Sequence, residues 1–237
     1  MNKTLMGTAL AVSMLFAVPA IAAPSAAVTA AVADPGRPEN DKAVDALRKP
    51  AETLEFVGVK PGDKVAELAP GAGYFTRIIA KTVGDSGKVY TYAPARPNAP
   101  PPTPVAPNVT PLNGAYADFA VPEPVDVVWT SRNYHDFQNA MPDMSAYNKK
   151  VFAALKPGGT YFILDHAAAA DAPENVTSTL HRSKESTVRA QVEAAGFRFV
   201  ASSDILHNSA DNGTERVQEQ DVRGKTNQYL IKFVKPR

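Results

Sequence analysis

The run Glu67-Leu68-Ala69-Pro70-Gly71-Ala72-Gly73-Tyr74 sets one carboxylate beside small residues at 69, 71 and 73. Small side chains there let a ligand approach the backbone, and a helix starting just beyond offers it free N–H groups. A tight strand-to-helix turn without a ligand would use the same residues. A dinucleotide fingerprint needs a small residue where Tyr74 stands, so a nicotinamide cofactor fits poorly. The other groups able to do chemistry are His135, His166, His181 and His207. His135 or His166 can act as a general base that removes a proton from an O–H or N–H; the plain alternative is an ordinary polar loop residue. His135, His166 and His181 with Asp165 are also the parts of a metal site, but their spacing is no local metal motif, and no metal is expected. Tyr134 can stack on a substrate or pack in the core. Arg182 can bind an anionic group or pair with a nearby acid.

These residues need elements to hold them. Lys64–Ala69 reads as a strand after the turn Lys60-Pro61-Gly62-Asp63, and Gly73–Thr82 as a helix burying Phe75, Ile78 and Ile79. Further strands are expected at Lys88–Tyr92, Asn108–Leu112, Val125–Thr130, Thr160–Leu164, Phe197–Leu206 and Gln228–Val234. Helices are expected within Asp41–Val57, with a break at Pro50, and at Ser145–Leu155 and Ser186–Ala195. Val125–Thr130, VDVVWT, is apolar almost throughout, as a strand covered on both faces should be, and Trp129 within it is core. Strands alternating with helices imply an α/β fold with a seven-stranded, mainly parallel sheet and helices on both faces. In such a sheet ligands sit at the carboxyl ends of the strands, and all four histidines fall on that side.

The chain has 237 residues, 44% hydrophobic and 21% charged, with 25 basic and 24 acidic side chains. That balance is globular and gives no general attraction to nucleic acid, nor does any stretch interleave basic and aromatic residues as a nucleic-acid reader would. There are no cysteines, which excludes disulfides, thiolate nucleophiles and Cys-ligated metal. Residues 1–22 have a basic start, an apolar run and small residues at Ala20 and Ala22, the pattern of a signal peptide cleaved after Ala22. Export, in a periplasmic setting, is therefore expected, with no membrane association after cleavage. Residues 23–40 read as a flexible lead-in, 41–237 as one domain, and 93–108, with seven prolines, as an extended insertion within it. Asn208–Gln220 reads as a solvated loop.

The block GVKPGDKVAELAPGAGYFT, Leu155-Lys156-Pro157-Gly158-Gly159-Thr160 before the fifth strand and Gly196-Phe197 before the sixth together resemble the class I S-adenosylmethionine-dependent methyltransferases. With the later pair His181-Arg182, the sequence is most similar to a group of bacterial, often exported members whose reaction is not defined. The resemblance covers nearly all of 41–237 and implies a Rossmann-like fold, S-adenosyl-L-methionine as cofactor and a small-molecule methyl acceptor. It further implies that Glu67 lies near the cofactor's amino end, with Ala69, Gly71 and Gly73 in the loop beneath it. Asp118, with Phe119 beside it, would meet the adenine, and Thr130 and Ser131 would close the pocket. Two departures fall on the adenosine side: Tyr92 stands where an acidic residue usually takes both ribose hydroxyls, and the helix after the second strand gives way to the prolines. A phenol cannot accept two hydrogen bonds as a carboxylate fork does. These departures, with an exported location away from the cytoplasmic cofactor supply, define an alternative: a non-catalytic, exported ligand-binding protein on the same fold.

Overall fold

The computed structural model describes residues 23–95, 104–141 and 143–237. Strands form at Lys64–Leu68 (β1), Lys88–Ala93 (β2), Val109–Asn113 (β3), Val125–Ser131 (β4), Leu155–His166 (β5), Arg198–Ser203 (β6) and Gln228–Val234 (β7). They make one sheet in the order β3-β2-β1-β4-β5-β7-β6. All neighbours are parallel except β7, which runs antiparallel between β5 and β6. The chain builds outward from β1 to β3, then returns to the other side of β1 with β4. The switch point therefore lies between β1 and β4, where a crevice opens at the carboxyl ends.

Helices cover both faces. Tyr74–Val83 (α5) begins after Gly73, which adopts φ +81°, and buries Phe75, Ile78, Ile79 and Val83, the spacing of one helical stripe. It packs with Pro50–Val57 (α4) on the face where Phe56, Phe75, Trp129 and Phe162 form a chain of ring contacts. The opposite face carries Tyr134–Ala140 (α6), Met144–Ala154 (α7) and Glu185–Glu193 (α9) over Tyr161, Ile163 and Ile231.

The expected flexible lead-in is corrected by the structure. Ala26–Val32 (α1) is a helix capped by the Ser25 side chain, and Val28 and Ala31 are buried against α5. Its small residues give little sequence periodicity, yet small residues are what allow so close an approach of two helices. Arg37 then fastens the following segment, donating to Val32 O at 2.6 Å and to both carboxylate oxygens of Asp45 at 2.8 and 2.6 Å. Two single-turn helices, Glu39–Lys42 (α2) and Asp45–Arg48 (α3), follow. The expected break at Pro50 is present, with Pro50 as the first residue of α4.

The proline-rich stretch joins the adjacent strands β2 and β3, so it is internal to the sheet. Its residues 96–103, like the expected signal peptide at 1–22, lie outside the described residues. Among the described residues no helix is long and apolar enough to cross a membrane.

Candidate active site

A cavity of about 430 Å³ opens at the switch point. Its floor is Glu67 to Ala72, one wall is Ser131, Arg132, Asn133 and His166, and the other is Asn40, Asp41, Val44 and Arg48. The volume is within the usual range for small-ligand sites. The glycine loop is held open by backbone geometry: Ala69, Gly71 and Gly73 all have positive φ, and a side chain added at Gly71 would project into open space. Asn133 ties loop to wall, its Nδ2 donating to Ala69 O at 3.2 Å and Ser131 O at 2.6 Å. The upper wall is positioned by Arg77, whose Nε donates to Asp41 Oδ2 at 2.8 Å, and by Tyr74, whose hydroxyl donates to Asp45 at 2.6 Å.

Charge in the cavity is unevenly satisfied. Glu67 is 3% exposed, and its one hydrogen bond among the described residues comes from the Thr76 hydroxyl at 2.5 Å. Burial pushes its carboxyl up to about 7, against the pull of that hydrogen bond. Arg48, stacked over the Tyr74 ring at 4.2 Å, and Arg132 have no ion-pair partner among the described residues. Burial lowers Arg132 to about 10, and the nearby Arg48 charge adds to the effect. Ser131 Oγ is buried without a hydrogen-bond partner among the described residues. Among the described residues, a hydroxyl without a partner, a carboxylate held by a single hydroxyl and two guanidinia without an ion-pair partner thus face one cavity, which suits a zwitterionic or polar ligand.

His166 lines this cavity and shares a 2.6 Å hydrogen bond between its Nδ1 and Thr226 Oγ1. Burial holds it down to about 4, so the ring is neutral at pH 7. His135 does not line the cavity; it sits one ring behind, 5.9 Å from His166 between centroids. Asp165 organises both residues, accepting from His135 N at 2.8 Å, His135 Nδ1 at 2.8 Å, His166 N at 2.9 Å and Ser183 Oγ at 2.8 Å. Burial opposes charge on His135, but the adjacent Asp165 carboxylate outweighs it and leaves the pKa above the ordinary value. The third ring, His181, is 5.6 Å from His135. His207 lies apart in the exposed turn after β6.

Several expected site residues lie elsewhere. Tyr134 is fully buried in the helical layer, its hydroxyl donating to Gln191 and accepting from Asn148, so it faces no ligand in this cavity. Tyr92 is buried too, donating to Ala115 O at 3.1 Å and packed so closely on Gly114 that a Cβ there would lie 2.2 Å from its oxygen. It meets Phe119 edge-on at 5.1 Å, and the two fill core space beside β2. Asp118 is exposed and 3.6 Å from Lys150 Nζ. Arg182 is not an anion site: it is fully buried and paired with Asp211. The segment 208–220 is a mostly exposed loop, as expected, but Asp211 and Gly213 within it are buried and that pairing anchors it.

No family model matches the chain, and no curated protein matches it. Among solved structures it is similar to an S-adenosylmethionine-dependent methyltransferase from Aquifex aeolicus, with 18% identity and a TM-score of 0.53, covering 84% of this chain and 98% of that one. The fold is that of the class I methyltransferases. An arsenic(III) S-adenosylmethionine methyltransferase from Chlamydomonas reinhardtii is similar at 20% identity and a TM-score of 0.55, covering 91% of this chain and 75% of that one. So is the [4+2]-cyclase SpnF, at 12% identity and a TM-score of 0.57, over 83% and 80% of the two chains. At these identities the likeness is one of fold, and the cyclase shows that the fold hosts other reactions.

The wall formed by Asn40, Asp41, Val44, Arg48, Arg132 and Asn133 was not singled out in the sequence. Arg132 carried a usable sign: a cation directly after an apolar strand, at the end where ligands bind. Arg48 carried none, since it reaches the cavity only because α1 and the Arg37 clamp fold the preceding segment over the loop.

Proposed function

We propose that the chain is an S-adenosylmethionine-dependent methyltransferase for a small-molecule acceptor, exported by its first 22 residues. The supporting observation is the cavity at the β1/β4 switch point, lined by buried Glu67, an open glycine backbone and a Ser131 hydroxyl that has no partner among the described residues. The residues present fit the cofactor's amino-acid end: Glu67 for the ammonium, Arg48 or Arg132 for the carboxylate. When bound, the cofactor supplies an electrophilic methyl carbon. The chain's contribution is to hold the acceptor in line with it, and such positioning supplies most of the acceleration available to a displacement of this kind. His166 is the cavity's candidate base. Held near 4 it takes a proton weakly, which suits an acceptor that is already anionic or has a readily lost proton.

Calorimetric titration of S-adenosylhomocysteine into the purified chain tests this reading. Saturable binding is expected, and Gly71→Val should abolish it while costing about 1–2 kcal/mol of stability, because a β-branched residue at φ +58° is strained and its side chain projects into the open space of the cavity that the ligand would fill. Absence of both heat and thermal shift at millimolar ligand would overturn the reading. Export is tested by fractionating cells that express the full gene: a periplasmic chain beginning at Ala23 is expected, and an unprocessed cytoplasmic chain would refute it.

A further inference from the structure

Beyond the cavity, the carboxyl edge of the sheet gathers a second set of groups that the methyl-transfer reading does not use. His135 begins α6 and Asp136 follows it, while His181 comes from the turn after Val176–Leu180 (α8). His135 Nε2 lies 3.4 Å from Asp136 Oδ1, and His181 Nδ1 lies 3.6 Å from the same carboxylate. One ligand atom from each of the three residues falls within 4.8 Å of the others. Zinc bound to nitrogen or carboxylate oxygen has bonds of about 2.0–2.2 Å, so tetrahedral ligand atoms stand about 3.3–3.6 Å apart. Both carboxylate–imidazole separations already match that edge length.

The arrangement behind His135 fixes which nitrogen is available. Its Nδ1 carries the proton given to Asp165, a carboxylate that is fully buried. In the neutral ring Nε2 is then an acceptor, yet the polar atom it faces is another acceptor, Asp136 Oδ1. Two acceptors held face to face repel unless a proton or a metal ion lies between them, and the Asp165 and Asp136 carboxylates favour either. A buried carboxylate that orients a histidine through its far nitrogen is also the support that metal-binding imidazoles receive. His181 is presented from the left-handed region, at φ 55°, a conformation that a non-glycine residue adopts at a cost.

We propose that His135, Asp136 and His181 bind one divalent transition-metal ion of borderline softness, Zn²⁺ being the best match. Two imidazoles and one carboxylate favour such an ion over Ca²⁺ or Mg²⁺, which prefer oxygen ligands. The His135 side chain is 4% exposed, His181 25% and Asp136 52%, so the site is walled on the His135 side and open on the other. The open side leaves the fourth position to water or to a ligand, as in reactive rather than structural zinc sites. Binding at His181 Nδ1 places the proton on Nε2, so the exposed Arg216, whose Nη2 is now 3.1 Å from that nitrogen, turns away. The ion would lie one ring from the cavity, since His166 beside His135 lines it. The proposal does not depend on what the cavity binds.

The test is calorimetric titration of ZnCl₂ into the chelator-treated, tag-free full chain, with Co²⁺ absorption to report coordination geometry. One ion per chain and a tetrahedral cobalt spectrum are expected. Asp136→Asn and His181→Asn should each remove saturable binding, and asparagine tolerates the left-handed backbone at 181. Asp165→Asn should weaken binding about 10–100-fold, the usual effect of losing the carboxylate behind a metal-bound histidine. His207→Ala should leave binding unchanged. If the cluster is held by a proton alone, no stoichiometric ion will bind to the folded wild-type chain, and the proposal fails. Binding that survives both Asp136→Asn and His181→Asn overturns it equally.

Discussion

Replacing Arg182 with methionine is expected to cost about 3–5 kcal/mol of folding stability, the range for breaking one half of a buried ion pair. For a chain of this size that lowers Tm by about 6–20 °C. The guanidinium is fully buried and uses all three nitrogens: two bonds to Asp211 at 2.8 and 3.0 Å, one to Ala167 O at 2.9 Å and one to Glu215 O at 2.7 Å. Asp211 also accepts from Gly213 N at 3.0 Å and Asn227 N at 2.6 Å, so one clamp ties the end of β5 to the long β6–β7 connection. Methionine fills much of the volume but leaves that carboxylate buried without its cation. The exposed Lys42–Glu39 pair, by contrast, is a surface contact whose loss should be near the limit of measurement. The double variant Arg182→Met/Asp211→Asn separates the two contributions: with no stranded charge it should unfold at a higher temperature than Arg182→Met alone. Thermal and urea denaturation decide the matter. A loss below about 1 kcal/mol for the single variant would mean that water or neighbouring cations already solvate Asp211.

An ion pair of Arg182 with a nearby acid was one of two readings open in the sequence, but its burial and its partner Asp211 were not legible there, and the reason is general to the chain. The strands were legible because VDVVWT and KVAEL alternate or persist in ways only a covered sheet explains. The helix after the glycine loop was legible because its stripe is strong and glycines bound it. The first helix was not, since AAVTAAV has no large apolar stripe, and α6, YHDFQNA, looks polar until the sheet supplies a partner. The same distinction divides the site. Glu67, Ala69 and Gly71 lie within one run of five residues, so their joint presence in the cavity could be read from spacing. Ser131 follows from the adjacency of β1 and β4. Tyr92 could not be judged that way: a strand fixes which side a residue faces, but its contact with Gly114 depends on how β3 ends. The three histidines shared one sheet edge in the sequence reading, while their ring contacts depend on Asp165 and on the turn that carries His181.

Glu67 is expected to give ligand binding a distinctive pH dependence. Burial raises its pKa from the ordinary 4.5 to about 7, so the ionised form is disfavoured in the free protein by about 3 kcal/mol. Because the folded value is the higher one, this residue's contribution to stability is fully present below about 4.5 and is lost as pH rises through about 7. Glu67→Gln removes that loss: at pH 8 the variant should be more stable than wild type by up to about 3 kcal/mol, and near pH 4 the advantage should vanish. Binding should run the other way. An ammonium beside Glu67 selects the carboxylate, so affinity for S-adenosylhomocysteine should fall about tenfold per unit below pH 7, with release of nearly one proton per ligand at pH 6. Titrations in two buffers of different ionisation enthalpy measure that release directly, and Glu67→Gln should both weaken binding and flatten the profile. Affinity independent of pH, with no proton released, would place the ligand's amino group away from Glu67. The stability gain and the binding loss therefore share one cause: the cavity keeps a carboxylate in an environment that only a cationic partner makes favourable.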